Sequence, residues 1–138
     1  MKWIYGKQEL KNLERGQENC YLLTNGLGGF SSMTMTGSVA RNDHALLMAC
    51  VQAPNHRYNM VHRLKESLCL GEEEIVLSSQ EFADGYKEEG CPYFSSFVFD
   101  DMPIWRFLVQ GVEIRKEIAM KQGENTVAVR YSIRNRSR

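Results

Sequence analysis

Alternation of apolar and polar residues at a period of two is the property that most restricts what this chain can become. Residues 126–134 alternate without a break, with Val127, Val129, Tyr131 and Ile133 on one parity and Ala128, Arg130, Ser132 and Arg134 on the other. Successive side chains of a strand point to opposite faces, so this segment is a strand with one face buried. Upstream, Val112, Ile114, Lys116, Ile118 and Met120 share a parity, and Lys116 is the one charged exception. Between the two runs, Lys121-Gln122-Gly123-Glu124-Asn125 reads as a turn, because Gly123 can take the positive φ of a tight reversal. A third strand at residues 104–109 joins through Gln110-Gly111. Together these predict a three-stranded antiparallel meander.

The rest of the chain keeps the same period. Met60, His62, Leu64, Leu68 and Leu70 fall on one parity, interrupted by Glu66; Gly71-Glu72 reverses the chain, and Ile75 and Leu77 return. Earlier strands are expected at residues 21–24, 33–38 and 46–52. Residues 8–15 give the one helix signal, resting on Leu10 and Leu13 alone. Short strands punctuated by 11 glycines predict an all-β antiparallel sandwich, one domain over residues 1–138. A strand running close to Arg138 would normally have a neighbour, since a long unpaired edge invites aggregation. The expectation is therefore a fragment of a larger β-domain. An open edge could also pair two copies, which leaves the oligomeric state undecided.

Charge narrows the function classes. Lys+Arg and Asp+Glu both number 17, but residues 1–65 carry eight basic and four acidic groups, residues 66–101 one and ten, and residues 102–138 eight and three. Arg130, Arg134, Arg136 and Arg138 are the only candidate nucleic-acid contacts, and their alternation with Val129, Tyr131 and Ile133 marks the solvated face of a strand instead. No apolar run approaches the roughly 20 residues of a membrane span, and the N-terminus turns polar too early for a signal peptide. A cytoplasmic location follows. Cys20, Cys50, Cys69 and Cys91 lie 30, 19 and 22 residues apart, without the pairwise spacing of a zinc site, and His44, His56 and His62 add none. The sequence indicates four reduced thiols, no metal and no cofactor.

One phrase stands out from the strand pattern: Leu22-Leu23-Thr24-Asn25-Gly26-Leu27-Gly28-Gly29-Phe30. Its glycines match neither the phosphate loop nor the dinucleotide fingerprint, and residues 31–38 look like a strand rather than a phosphate-capping helix. A tight loop between two strands accounts for it locally. The phrase nevertheless resembles the opening of the N-terminal domain of bacterial and archaeal glycogen debranching enzymes, the amylo-α-1,6-glucosidase family. Arg41-Asn42-Asp43-His44-Ala45-Leu46-Leu47 is similar to that family's Arg-x-Tyr-His-Gly-Leu-Leu, with Asp43 and Ala45 departing from it. Leu64-Lys65-Glu66 and Gly123-Glu124-Asn125-Thr126-Val127-Ala128-Val129-Arg130-Tyr131 resemble two later strands. The resemblance implies a sandwich placed before a catalytic α/α toroid that holds the carboxylates of the enzyme, and none of that toroid is present here.

Glycoside hydrolysis needs two opposed carboxyl groups roughly 5–9.5 Å apart, one with a raised pKa. Here the acids come as runs, Glu72-Glu73-Glu74, Glu88-Glu89 and Asp100-Asp101, which are usually solvated. No catalytic residue is assigned. Binding has better candidates: Asn25, Gly26, Gly28, Gly29, Arg41 and His44 for substrate or a domain interface, and Tyr86, Tyr93 and Phe94 for an aromatic platform in a loop spanning residues 86–99. The competing expectation is that Phe94, Phe97 and Phe99 enter the core and that Asn25, Arg41 and His44 brace loops. The resemblance implies branched α-glucan, glycogen or maltodextrin, and a C-terminal catalytic domain of the same polypeptide as partners. The alternative is a stand-alone carbohydrate-binding or interaction domain without enzyme activity.

Overall fold

A computed structural model describes residues 2–136, so Arg138 lies outside the described residues. In chain order the strands are β1 (Trp3–Gly6), β2 (Leu23–Thr24), β3 (Phe30–Ser32), β4 (Ala45–Gln52), β5 (His56–Val61), β6 (Ser67–Leu70), β7 (Glu73–Val76), β8 (Ser79–Glu81), β9 (Lys87–Glu89), β10 (Phe94–Phe99), β11 (Pro103–Val109), β12 (Val112–Met120) and β13 (Val127–Asn135). Among the described residues the single α-helical turn is α1 (Leu13–Gly16).

The predicted meander is β11-β12-β13, extended by β10 and β1 into a five-stranded antiparallel sheet. Gln110 and Gly111 both take positive φ, 48° and 80°, which sets the β11–β12 hairpin. A four-stranded sheet, β2-β3-β4-β5, packs against it, and two small hairpins, β6–β7 and β8–β9, complete the sandwich-like arrangement. Between the sheets lies a core of Leu10, Tyr21, Met33, Met35, Leu46, Phe94, Phe97, Trp105, Phe107 and Ile118. Trp105 satisfies its indole N–H on the Met35 carbonyl at 2.6 Å, so the largest buried ring ties β11 to the turn that follows β3 by a hydrogen bond as well as by packing.

Lys116 sits on the core face, as its parity demands, and is 4% exposed. Its ammonium lies 5.0 Å from the Trp105 ring centroid and 2.7 Å from Glu66 Oε1. Lys116 of β12 and Glu66, which lies just before β6, therefore neutralise each other, and the Tyr131 hydroxyl donates to the other Glu66 oxygen.

Several boundaries differ from expectation. The strand expected at 33–38 begins earlier and ends at Ser32. Beyond a lone bridge at Thr34, the chain turns instead: Gly37 takes φ 75°, and Thr34 Oγ1 lies 2.6 Å from Ser38 Oγ and accepts from the Ser38 N–H at 3.1 Å. Buried hydroxyls bonding each other and their own backbone outcompete a ladder here. The helix expected at 8–15 shrinks to α1, capped by Asn12 Oδ1, which accepts the Arg15 N–H at 2.8 Å. The long arm at 60–70 is two pieces, since β5 pairs with β4 while only residues 67–70 form the hairpin with β7.

Candidate functional site

The glycine phrase and the Gly-Glu-Asn turn, about a hundred residues apart in sequence, form one structure. Asn25 is fully buried at the start of the loop. Its side-chain oxygen accepts the N–H groups of Leu27 (2.9 Å) and Gly29 (3.1 Å), which closes the loop on itself. Its side-chain nitrogen donates to the Glu124 carbonyl (3.0 Å) and Asn125 Oδ1 (2.9 Å), and its own carbonyl accepts from the Gly123 N–H at 2.7 Å. Asn125 in turn donates to the Cys50 carbonyl on β4 at 3.1 Å, and Gln122 to the Thr24 carbonyl at 2.7 Å. Asn25 is thus a hub that fastens the β2–β3 loop to the β12–β13 turn.

Gly29 is required by space: a Cβ there would lie 2.7 Å from Asn25 Nδ2, 2.8 Å from Asn125 Oδ1 and 3.0 Å from the Met48 carbonyl. Gly26 and Gly28 are required by φ values of 80° and 89°. Arg57 Nε donates to the Gly28 carbonyl at 2.8 Å, adding a cation to the loop rim.

Arg41 and His44 do not join this loop. Leu23–Thr24 pairs with Phe30–Ser31 next to the glycines, whereas the Cys20–Thr34 bridge marks the far end of the same strand pair. Arg41 sits at that far end, its Nη1 donating to Cys20 Sγ at 3.3 Å. His44 is 2% exposed, and its Nδ1 accepts the Ala40 N–H at 3.1 Å while its own N–H donates to the Arg41 carbonyl at 3.0 Å. Burial, and then the Arg41 charge, push the imidazole pKa below its ordinary value, with Asp43 opposing them. His44 is a neutral brace of the turn before β4.

The aromatic candidates also separate. Phe94 is 1% exposed and stacks on Phe107 at 4.7 Å, so it is core and no platform. Residues 86–99 are not one loop, because β9, a 3₁₀ turn at Cys91–Tyr93 and β10 occupy most of them. Tyr93 is half-buried against the core. Tyr86 is exposed beside Phe82, ring centroids 5.6 Å apart, with Arg63 5.4 Å over the Phe82 ring.

A different set of aromatics lines a hollow. Trp3 and Tyr5 on β1 are the cross-strand partners of Phe99 and Phe97 on β10, so all four rings share one face at the sheet edge. Facing them are Asn19, Cys20, Tyr21 and Leu22, around about 330 Å³. The signal was the Trp-x-Tyr and Phe-x-Phe spacing. Reading residues 86–99 as a loop hid it, because only strand pairing brings the two doublets together.

The buried carboxylates are engaged structurally. Buried Glu88 accepts from Ser78 Oγ at 2.7 Å and pairs with Arg63; buried Glu117 pairs with Arg115 at 2.6 Å and with Arg130. Among the described residues no group of His, Cys, Asp and Glu is placed to hold a metal ion, and no helix is long and apolar enough to cross a membrane. All four cysteines are free.

A protein-family model matches most of the chain. The model described as "Glycogen debranching enzyme N terminal" covers residues 19–138, and so contains the glycine loop, Arg41, His44 and the locking turn. No curated protein and no solved structure matches significantly.

Proposed function

Because the chain belongs to the glycogen debranching enzyme N-terminal family, we propose that residues 1–138 form its non-catalytic β-domain, which packs against a catalytic domain of the same polypeptide and helps position branched α-glucan. In that reading the complete protein is an α-1,6-glucosidase that cleaves glucose from the branch points of glycogen or maltodextrin in the cytoplasm, where reduced thiols persist. The carboxyl groups that hydrolysis requires belong to the catalytic domain.

The observation that carries the non-catalytic role is the state of the buried acids. A general acid must hold its proton near neutral pH, which requires a dry site without a compensating cation. Glu88 and Glu117 each face arginine instead, and Glu66 faces Lys116. Both oxygens of each of these three carboxylates are taken by a cation or a hydroxyl, which leaves none free to reach a glycosidic bond. The Asn25 lock supports the scaffold role, since it makes the loop and turn carrying two of the family's phrases one rigid unit.

Native electrophoresis of the folded chain through gels with and without glycogen tests the glucan role. Retardation by glycogen, and not by a β-linked glucan at equal concentration, is the expected result. Equal mobility in all gels would contradict it.

A further inference from the structure

We infer that the hollow between β1–β10 and residues 19–22 is a surface site for one or two glucosyl units of an α-glucan chain, with the aromatic rings as its floor and Arg41 and Asn19 at its rim. This rests on the glucan reading above and adds the place and the residues.

Trp3 opposite Phe99 and Tyr5 opposite Phe97 put four rings on one face of an edge strand pair. Phe97 and Tyr21 are 2% and 4% exposed and are fixed from below by Trp105, at ring-centroid distances of 5.1 and 5.5 Å. The floor is therefore rigid. Trp3, by contrast, is 52% exposed at the open end, although burying an indole is strongly favourable. A half-exposed tryptophan continuous with a rigid aromatic floor is a surface left uncovered by the fold.

The shape and rim select the occupant. A hollow of about 330 Å³ lies at the small end of ligand pockets, roughly 300–1,000 Å³, and admits a sugar ring or two but no helix. A pyranose presents flat C–H faces that pack on aromatic rings and a rim of hydroxyls that need donors and acceptors. Asn19 lines the hollow with an exposed amide. Arg41 reaches the rim through Cys20, where one N–H is used on the thiol, and a guanidinium offers five in all. A bare hydrocarbon chain would leave the donors and acceptors of this rim unpaired. Arg41 also belongs to the second of the family's phrases, so the groove gives that residue a use apart from the Asn25 lock.

The test uses the two tryptophans. Trp105 is 1% exposed, so a change in emission on adding maltoheptaose reports Trp3. The expected result is a saturable blue shift with protection from acrylamide quenching. Trp3→Ala is expected to weaken glycogen retardation at least about fivefold, the loss of one good aromatic stack. Arg41→Ala, at an exposed site outside the core, is expected to weaken it about threefold, the loss of one hydrogen bond. Tyr58→Ala on β5, equally exposed, should leave it unchanged. Wild-type retardation with silent Trp3 emission and undiminished binding by both variants would overturn the groove while leaving the domain reading intact. A wild-type chain that glycogen does not retard would overturn both.

Discussion

Asn25 carries more than its size suggests. Replacing it with alanine strips the acceptor from two loop N–H groups and the donor from two oxygens, all in a buried site. A cost of about 3 kcal/mol is expected from several unsatisfied buried groups, measured as a shift in urea midpoint at constant slope. Gly29→Ala should cost about 1–3 kcal/mol through overpacking, because its Cβ meets the same Asn25 amide. His44 gives a pH signature. Its folded pKa lies below the unfolded value of 6.5, so the unfolded chain takes up the proton first as pH falls. Its contribution to stability is full above about 6.5 and declines below it until the folded pKa is reached. His44→Gln, which keeps an acceptor for Ala40, should flatten that part of the dependence in urea titrations at pH 7.5 and 5.5; an unchanged slope would contradict the assignment.

At the level of elements, β12 shows how a charge is kept on a core face. Glu66→Ala leaves Lys116 buried beneath Trp105 without its carboxylate, which should cost about 3 kcal/mol or more. The double variant Lys116→Met, Glu66→Gln removes both charges while sparing an acceptor for the Tyr131 hydroxyl, and should lie much closer to wild type. A thermodynamic cycle over the four proteins measures the coupling. The same strands show what was legible in advance. The meander could be read because β11 and β12 each bury one parity of their residues, which forces a period of two. In β13 the same alternation marks a strand but not a buried face: Val127 and Val129 are half-buried, whereas Tyr131 and Ile133, expected inside, are 43% and 63% exposed. Residues 33–38 carry the same alternation but are set by Thr34, Thr36 and Ser38 bonding one another around Gly37. Periodicity cannot distinguish buried hydroxyls in a turn from the polar face of a strand. Lys116 and Glu66 were each visible as exceptions, yet only the pairing of β12 with β13 and the path of residues 62–66 made them partners.

Over the whole molecule, the uneven charge of the sequence has an internal explanation. Arg63 of the basic first part holds Glu88 of the acidic middle, and Glu66 of that middle holds Lys116 of the basic end. The segments are stitched by their opposite signs, and these half-buried pairs are screened by salt far less than surface ones. The candidate site was only half legible. The glycine phrase was visible as unusual, but its role as a lock depended on the turn at residues 122–125, and Arg41 and His44 proved to belong to the opposite end of β2–β3. The aromatic hollow needed the pairing of β1 with β10, which no local pattern specifies. A family model covering residues 19–138 joins these parts to debranching enzymes, and the role proposed for them is a scaffold that holds glucan without cleaving it. Isothermal titration calorimetry of the folded chain with branched limit dextrin tests this most directly. A saturable binding heat that returns to baseline after each injection is the expected result. A sustained heat of turnover, or no saturable heat at all, would contradict it.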